Sequence, residues 1–68
     1  MNSVYERLKE LRVSKNILGE ETAKLIGVTK ATYSKKENGI IKFSLEEAKI
    51  IAEKMGMQIE EVFKEGEI

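Results

Sequence analysis

Residues 23–39 read A-K-L-I-G-V-T-K-A-T-Y-S-K-K-E-N-G, and their spacing decides the fold. The stretch reads as the end of one helix, a glycine turn and a second helix. Ala23 is small enough to let a crossing helix approach closely. Four residues on, Gly27 supplies a position free to adopt positive φ. Ile26 and Val28 flank it and can fill the angle between the helices. Thr29 is placed to cap the second helix, its side-chain oxygen accepting a first-turn amide. Tyr33 falls on the inner face of that helix. The outer face then carries Lys30, Ala31 and Lys35, with Thr32 and Ser34 beside them. Asn38 and Gly39 close the helix with residues that tolerate positive φ.

Outward from this stretch, apolar residues recur at helical spacing almost throughout. Val4, Leu8 and Leu11 predict a first helix over about residues 3–15, capped by Asn2 or Ser3 and stopped at Asn16. The second helix spans roughly 19–26, and the third runs from Thr29 to about 37. Residues 40–43 form a loop, with Ile40 and Ile41 expected to pack beneath it or else to join a partner surface. Ser44 and Glu47 make a capping box. The box opens a fourth helix with Leu45, Ala48, Ile51, Ala52 and Met55 on one face, ended by Gly56. A short last helix carries Ile59, Val62 and Phe63. Residues 64–68 are expected to fray. The expected fold is all-α, a compact five-helix bundle forming one domain over residues 1–68.

Composition removes several function classes. The 68 residues contain no cysteine and no histidine, so disulfides, thiolate metal sites and Cys- or His-based catalysis are excluded. No apolar run approaches the roughly 20 residues that span a bilayer, and the first residues lack the pattern of a secretion signal. A soluble, cytoplasmic protein with no membrane partner is expected. The pairs Glu20-Glu21, Glu46-Glu47 and Glu60-Glu61 each fall in a first helical turn, where acids complement the helix dipole. Adjacent residues point to different sides of a helix, so these pairs are poor metal ligands. No catalytic residue, metal, cofactor or small-molecule ligand is expected.

Net charge is zero but segregated. Residues 1–42 carry nine Lys/Arg against five Glu, and residues 43–68 carry three Lys against seven Glu. A basic half containing the helix–turn–helix pattern fits a nucleic-acid face. Lysines at 30 and 35 suit phosphates or guanine edges. Small residues between them permit close approach to a groove floor, and a methyl of Ala31 or Thr32 suits the thymine methyl. Lys30 opposes the dipole in the first turn by a few tenths of a kcal/mol, which a facing anion would offset.

The chain resembles the DNA-binding domain of the Cro and phage-repressor superfamily, the XRE-like proteins, over residues 5–63. The strings that carry the resemblance are L-K-E-L-R (8–12), G-V-T-K-A-T-Y-S (27–34), K-E-N-G (36–39) and I-E-E-V-F (59–63). The resemblance implies a bundle whose helices 2 and 3 form the helix-turn-helix. It implies base readout by Lys30, Ala31 and Lys35, with Ser34 on the same face. Phosphates or the groove wall would be held by Thr29, Thr32 and Asn38, and a phosphate by Lys42. It also implies an ion pair between Arg12 and Glu37. A homodimer on double-stranded DNA is implied; Met55, Met57 and Ile59 are expected first to pack in the core, with a dimer interface around Met57, Ile59, Val62 and Phe63 as the alternative.

Several residues depart from the family pattern. Leu18 and Gly19 stand where a capping hydroxyl and a glutamine are usual, which predicts a weakly capped second helix with one DNA contact fewer. Thr22 and Lys36 stand where large apolar residues are usual. The Lys36 stem is expected along Tyr33 and the Thr22 region, with its ammonium at solvent or Glu37. Ile40 and Ile41 stand where basic residues are common. Two functions follow: a sequence-specific transcriptional repressor bound to a pseudo-palindromic operator, or an interaction module that kept the fold and lost the operator.

Overall fold

The computed structural model describes residues 5–63. Five helices follow in order: α1 (Glu6–Ser14), α2 (Gly19–Leu25), α3 (Lys30–Glu37), α4 (Leu45–Met55) and α5 (Ile59–Val62). No strand occurs among the described residues. The expected caps Asn2 and Ser3, and the tail 64–68, lie outside them. The described start of α1 is Tyr5, which makes no side-chain cap bond and is instead buried in the core.

Four helices end alike, with a left-handed residue just past the last turn: Asn16 (φ 58°), Gly27 (75°), Gly39 (82°) and Gly56 (69°). After α2 the Gly27 N–H donates to Lys24 O at 3.2 Å and the Val28 N–H to Ala23 O at 2.9 Å. These bonds satisfy carbonyls the helix leaves open. A Cβ at Gly27 would meet nothing within 4 Å, so the demand for glycine is one of backbone conformation alone. Asn38, expected to share the left-handed turn with Gly39, keeps φ at −87°.

The capping box at α4 is complete. Ser44 Oγ accepts the Glu47 N–H at 3.1 Å, and Glu47 Oε1 accepts the Ser44 N–H at 3.0 Å. Phe43, just before the cap, and Ala48, one turn into the helix, are both buried and bracket it with apolar contact.

All four aromatic residues of the chain belong to one cluster. Phe43 meets Tyr5 edge-on at 4.9 Å between centroids, Phe63 at 5.5 Å and Tyr33 at 6.0 Å. Leu8, Ala23, Ile51, Ala52, Met55 and Val62 complete the core around it. A loop residue therefore ties the start of α1, the middle of α3 and the end of α5 together, and such edge-to-face pairs add about 0.5–1.5 kcal/mol each beyond area burial.

Three expectations about apolar residues need correction. Leu45 is 54% exposed: at the first position of α4 it overhangs the bundle, while Phe43 occupies the core at that end. Ile40 and Ile41 are 74% and 39% exposed. Their N–H groups both turn inward to Lys35 O, at 2.8 and 3.3 Å, and their side chains remain outside. Val62 and Phe63 are buried in the protomer's own core, so a partner has no direct access to them. Of the expected dimer patch, Met57 and Ile59 stay partly accessible, packed on the edge of the core.

Candidate nucleic-acid interface

The third helix has two distinct sides. Tyr33, Lys36 and Glu37 are buried, three and four residues apart as one helical face requires. Lys30, Ala31, Ser34, Lys35 and Asn38 are exposed and recur at the same spacing, which makes them one stripe on the opposite side. Thr29 Oγ1 accepts the Thr32 N–H at 3.1 Å and donates to Thr32 Oγ1 at 3.0 Å, so the two hydroxyls are joined at the start of the stripe. The Lys30 and Ala31 N–H groups, in the first turn, have no intrahelical partner. At the other end Asn38 Nδ2 reaches Ser34 Oγ only at 3.5 Å, which leaves both groups open to other partners. Lys42 is exposed in the loop that follows. The eight residues expected to touch DNA thus lie on α3, its cap and the next loop, and only Thr32 among them is partly covered.

The inner side of α3 is held by charge as well as by packing. Arg12 of α1 donates from Nε to Glu37 Oε2 at 2.9 Å and from Nη2 to Oε1 at 3.2 Å. Its Nη1 donates to Ile17 O at 2.7 Å, and Tyr33 Oη donates to Glu37 Oε2 at 2.7 Å. The bond to Glu37 raises the Arg12 guanidinium above its ordinary value despite burial. Burial, reinforced by the Glu37 carboxylate, pushes the Tyr33 phenol well above its usual range. This network joins α1, the connection after it and the last turn of α3, so the outer stripe sits on a helix fixed from behind.

The opening of α2 shows how the unusual residues fit. Leu18 offers no side-chain cap, but Glu21 Oε1 accepts its N–H at 2.9 Å and keeps half of a capping box. A Cβ on Gly19 would stand 3.5 Å from the Tyr33 ring, an ordinary contact. Buried Thr22 satisfies its hydroxyl on Leu18 O at 3.3 Å.

Lys36 takes a different course from the expected one. It is buried, but its Nζ donates to Glu47 Oε1 at 3.0 Å and to Lys42 O at 3.2 Å, and stands 5.7 Å from the Phe43 ring centroid. Its charge therefore meets α4, not Glu37 or solvent, because adjacent residues of a helix point to different sides and Glu37 faces Arg12 and Tyr33. Burial works to raise the Glu47 carboxyl, yet the Ser44 N–H and the Lys36 ammonium hold it below its ordinary value. Sequence reading gave neither Phe43 nor Glu47 this part. Phe43 had a signal, an aromatic residue directly before a capping box, whereas the Lys36–Glu47 pair had none.

Among the described residues no group of His, Cys, Asp or Glu could hold a metal ion. No described helix is long and apolar enough to cross a membrane. A family model described as helix-turn-helix matches residues 8–62, from Leu8 in α1 to Val62 in α5. No curated protein and no solved structure matches the chain.

Proposed function

The chain belongs to the XRE/Cro-type helix-turn-helix family of DNA-binding regulators, and from that premise we propose that it is a transcriptional repressor. It binds a pseudo-palindromic operator as a homodimer, with α3 of each protomer in one of two successive major grooves. The observation that carries this reading is the exposed stripe Lys30, Ala31, Ser34, Lys35 and Asn38 on a helix locked from behind by Arg12, Tyr33 and Glu37. Lys30 and Lys35 read base edges with Ala31 between them, and Thr29, Thr32 and Asn38 line the groove wall. Lys42 grips a phosphate. Bound in this way, the protein represses by covering the promoter.

The two recognition helices must lie about 34 Å apart along the duplex. Each protomer measures 25 × 24 × 22 Å, so two copies side by side fit that spacing. Among the described residues the exposed large apolar side chains are Val13, Leu18, Leu25, Ile40, Ile41 and Leu45, with Met57 and Ile59 partly accessible beside the core. DNA itself helps to hold the dimer, because both protomers grip one duplex. A band-shift titration on one half-site and on two half-sites a helical turn apart tests this. Two protomers bound at least about tenfold more tightly on the paired probe is the expected result. Equal affinity for both probes contradicts the dimer.

Exposed Ile40 and Ile41, where family members often carry cations, favour a second reading. In it the protein is an interaction module that uses this loop against another protein. Failure to select any DNA from a random pool at about 50 mM salt, where electrostatic attraction is strong, supports that reading over the first.

A further inference from the structure

Every described lysine except Lys36 is exposed. Lys36 keeps 8% of its surface and places its ammonium between two acceptors from different elements. One is the Glu47 carboxylate in the first turn of α4, at 3.0 Å, and the other is the carbonyl of Lys42 in the loop, at 3.2 Å. Glu47 is itself held by the Ser44 N–H, so its oxygen has a fixed position. The loop is further pinned by the Ile40 and Ile41 N–H groups on Lys35 O and by Phe43 in the core. Between these pins the Lys36 bond is the side-chain restraint on the Lys42 backbone itself.

We propose that Lys36 is a positioning residue for DNA binding. Its ammonium, braced by Glu47, fixes the Lys42 carbonyl and thereby aims the exposed Lys42 side chain at a backbone phosphate beside the groove that α3 enters. The proposal rests on the DNA-binding reading above. An apolar residue at position 36 would fill the space and leave the loop backbone without this restraint. The charge itself is not on offer to DNA, because it is buried and matched by Glu47.

The test is the salt dependence of operator binding in the variant K36M/E47Q. That pair removes one positive and one negative charge, so net charge stays as in the wild type and only the restraint is lost. Each phosphate contact contributes about 0.9 to the slope of log affinity against log salt. With one Lys42 from each protomer of the dimer, the slope of operator binding is expected to fall by about 1.8 in K36M/E47Q, as it does in K42A. The wild-type advantage then shrinks roughly 12-fold between about 50 and 200 mM salt. Adding K42A to the pair should lower the slope no further, and K36R should restore it. Hydrogen exchange without DNA provides a second readout. The amides of residues 40–42 should exchange faster in K36M/E47Q and in the milder E47Q, which keeps the Ser44 hydroxyl cap. A wild-type slope in K36M/E47Q, or wild-type exchange in both variants, overturns the proposal. So does an unchanged slope in K42A. Absence of any salt-dependent DNA binding by the wild type would instead remove the DNA reading, and the assigned role with it.

Discussion

Replacing Glu37 with methionine should bring the protein to the edge of unfolding. Glu37 accepts two bonds from Arg12 and one from Tyr33, and the ion pair's side chains are only 13% and 9% exposed. Solvent therefore screens the pair little. Removing one partner of a buried pair costs about 3–5 kcal/mol, because the other charge stays buried without compensation. Tyr33 also loses a charged acceptor. At about 0.05–0.15 kcal/mol per residue, a chain of this length has roughly 3–10 kcal/mol of total stability. The single change thus removes between a third and all of it. Urea unfolding followed by circular dichroism measures the loss. The double variant Arg12→Met with Glu37→Met is the decisive comparison. Replacing both partners by apolar side chains is often neutral or stabilising by about 1–4 kcal/mol, so the double should recover most of the loss. A single variant that loses less than about 1 kcal/mol, or a double no better than the single, would refute the assignment of this network as the brace behind α3.

Three further outcomes follow from the same geometry. Gly27→Ala meets no atom within 4 Å but must hold φ near 75°. The left-handed backbone costs about 1–2 kcal/mol and the stiffer unfolded chain returns about 0.4–1, so a net loss near 1 kcal/mol is expected in denaturant melts; a gain contradicts the conformational account. The Glu47 carboxyl is held below its ordinary 4.5, so its contribution is present above that value and is lost as pH falls through the folded one. Glu47→Gln should flatten the acid limb of the stability profile, and an unaltered limb would count against a Glu47 carboxyl held down by the Ser44 N–H and by Lys36. The Tyr33 phenol is raised above its ordinary 10.0, so its contribution is complete below that pH and is lost as pH rises through the folded value. Absorbance titration should show a late phenolate component that disappears in Tyr33→Phe; a wild-type titration with no component that Tyr33→Phe removes at high pH contradicts the buried bond to Glu37.

Much of this fold was legible because it is written in local chemistry. Ser44 with Glu47, Thr29 before its helix, and glycines at 27, 39 and 56 each act within a few residues, where sequence spacing is structural spacing. The outer stripe of α3 was legible for the same reason, since helical periodicity sets it once Tyr33 is placed inside. What escaped reading depends on which distant group arrives nearby. Lys36 meets Glu47 only after the α3–α4 loop folds back, and Glu37, its neighbour in sequence, points to a different side of the helix, toward Arg12 and Tyr33. Exposure of Ile40, Ile41 and Leu45 escaped because apolar character says that a residue can be buried, not that a neighbour covers it. Val62 and Phe63 posed the converse problem, since a pattern cannot say whether the covering surface belongs to the same protomer or to another.

Selection from a random DNA pool, repeated with Lys35→Ala and Lys42→Ala, tests the central claim most directly. The wild type should enrich a sequence of two related half-sites one helical turn apart. Lys35→Ala should relax base preference within each half-site, whereas Lys42→Ala should weaken binding to all sequences alike. A pool that shows no enrichment at about 50 mM salt, or a Lys35→Ala protein with unchanged preference, would contradict a base-reading role for the exposed face of α3.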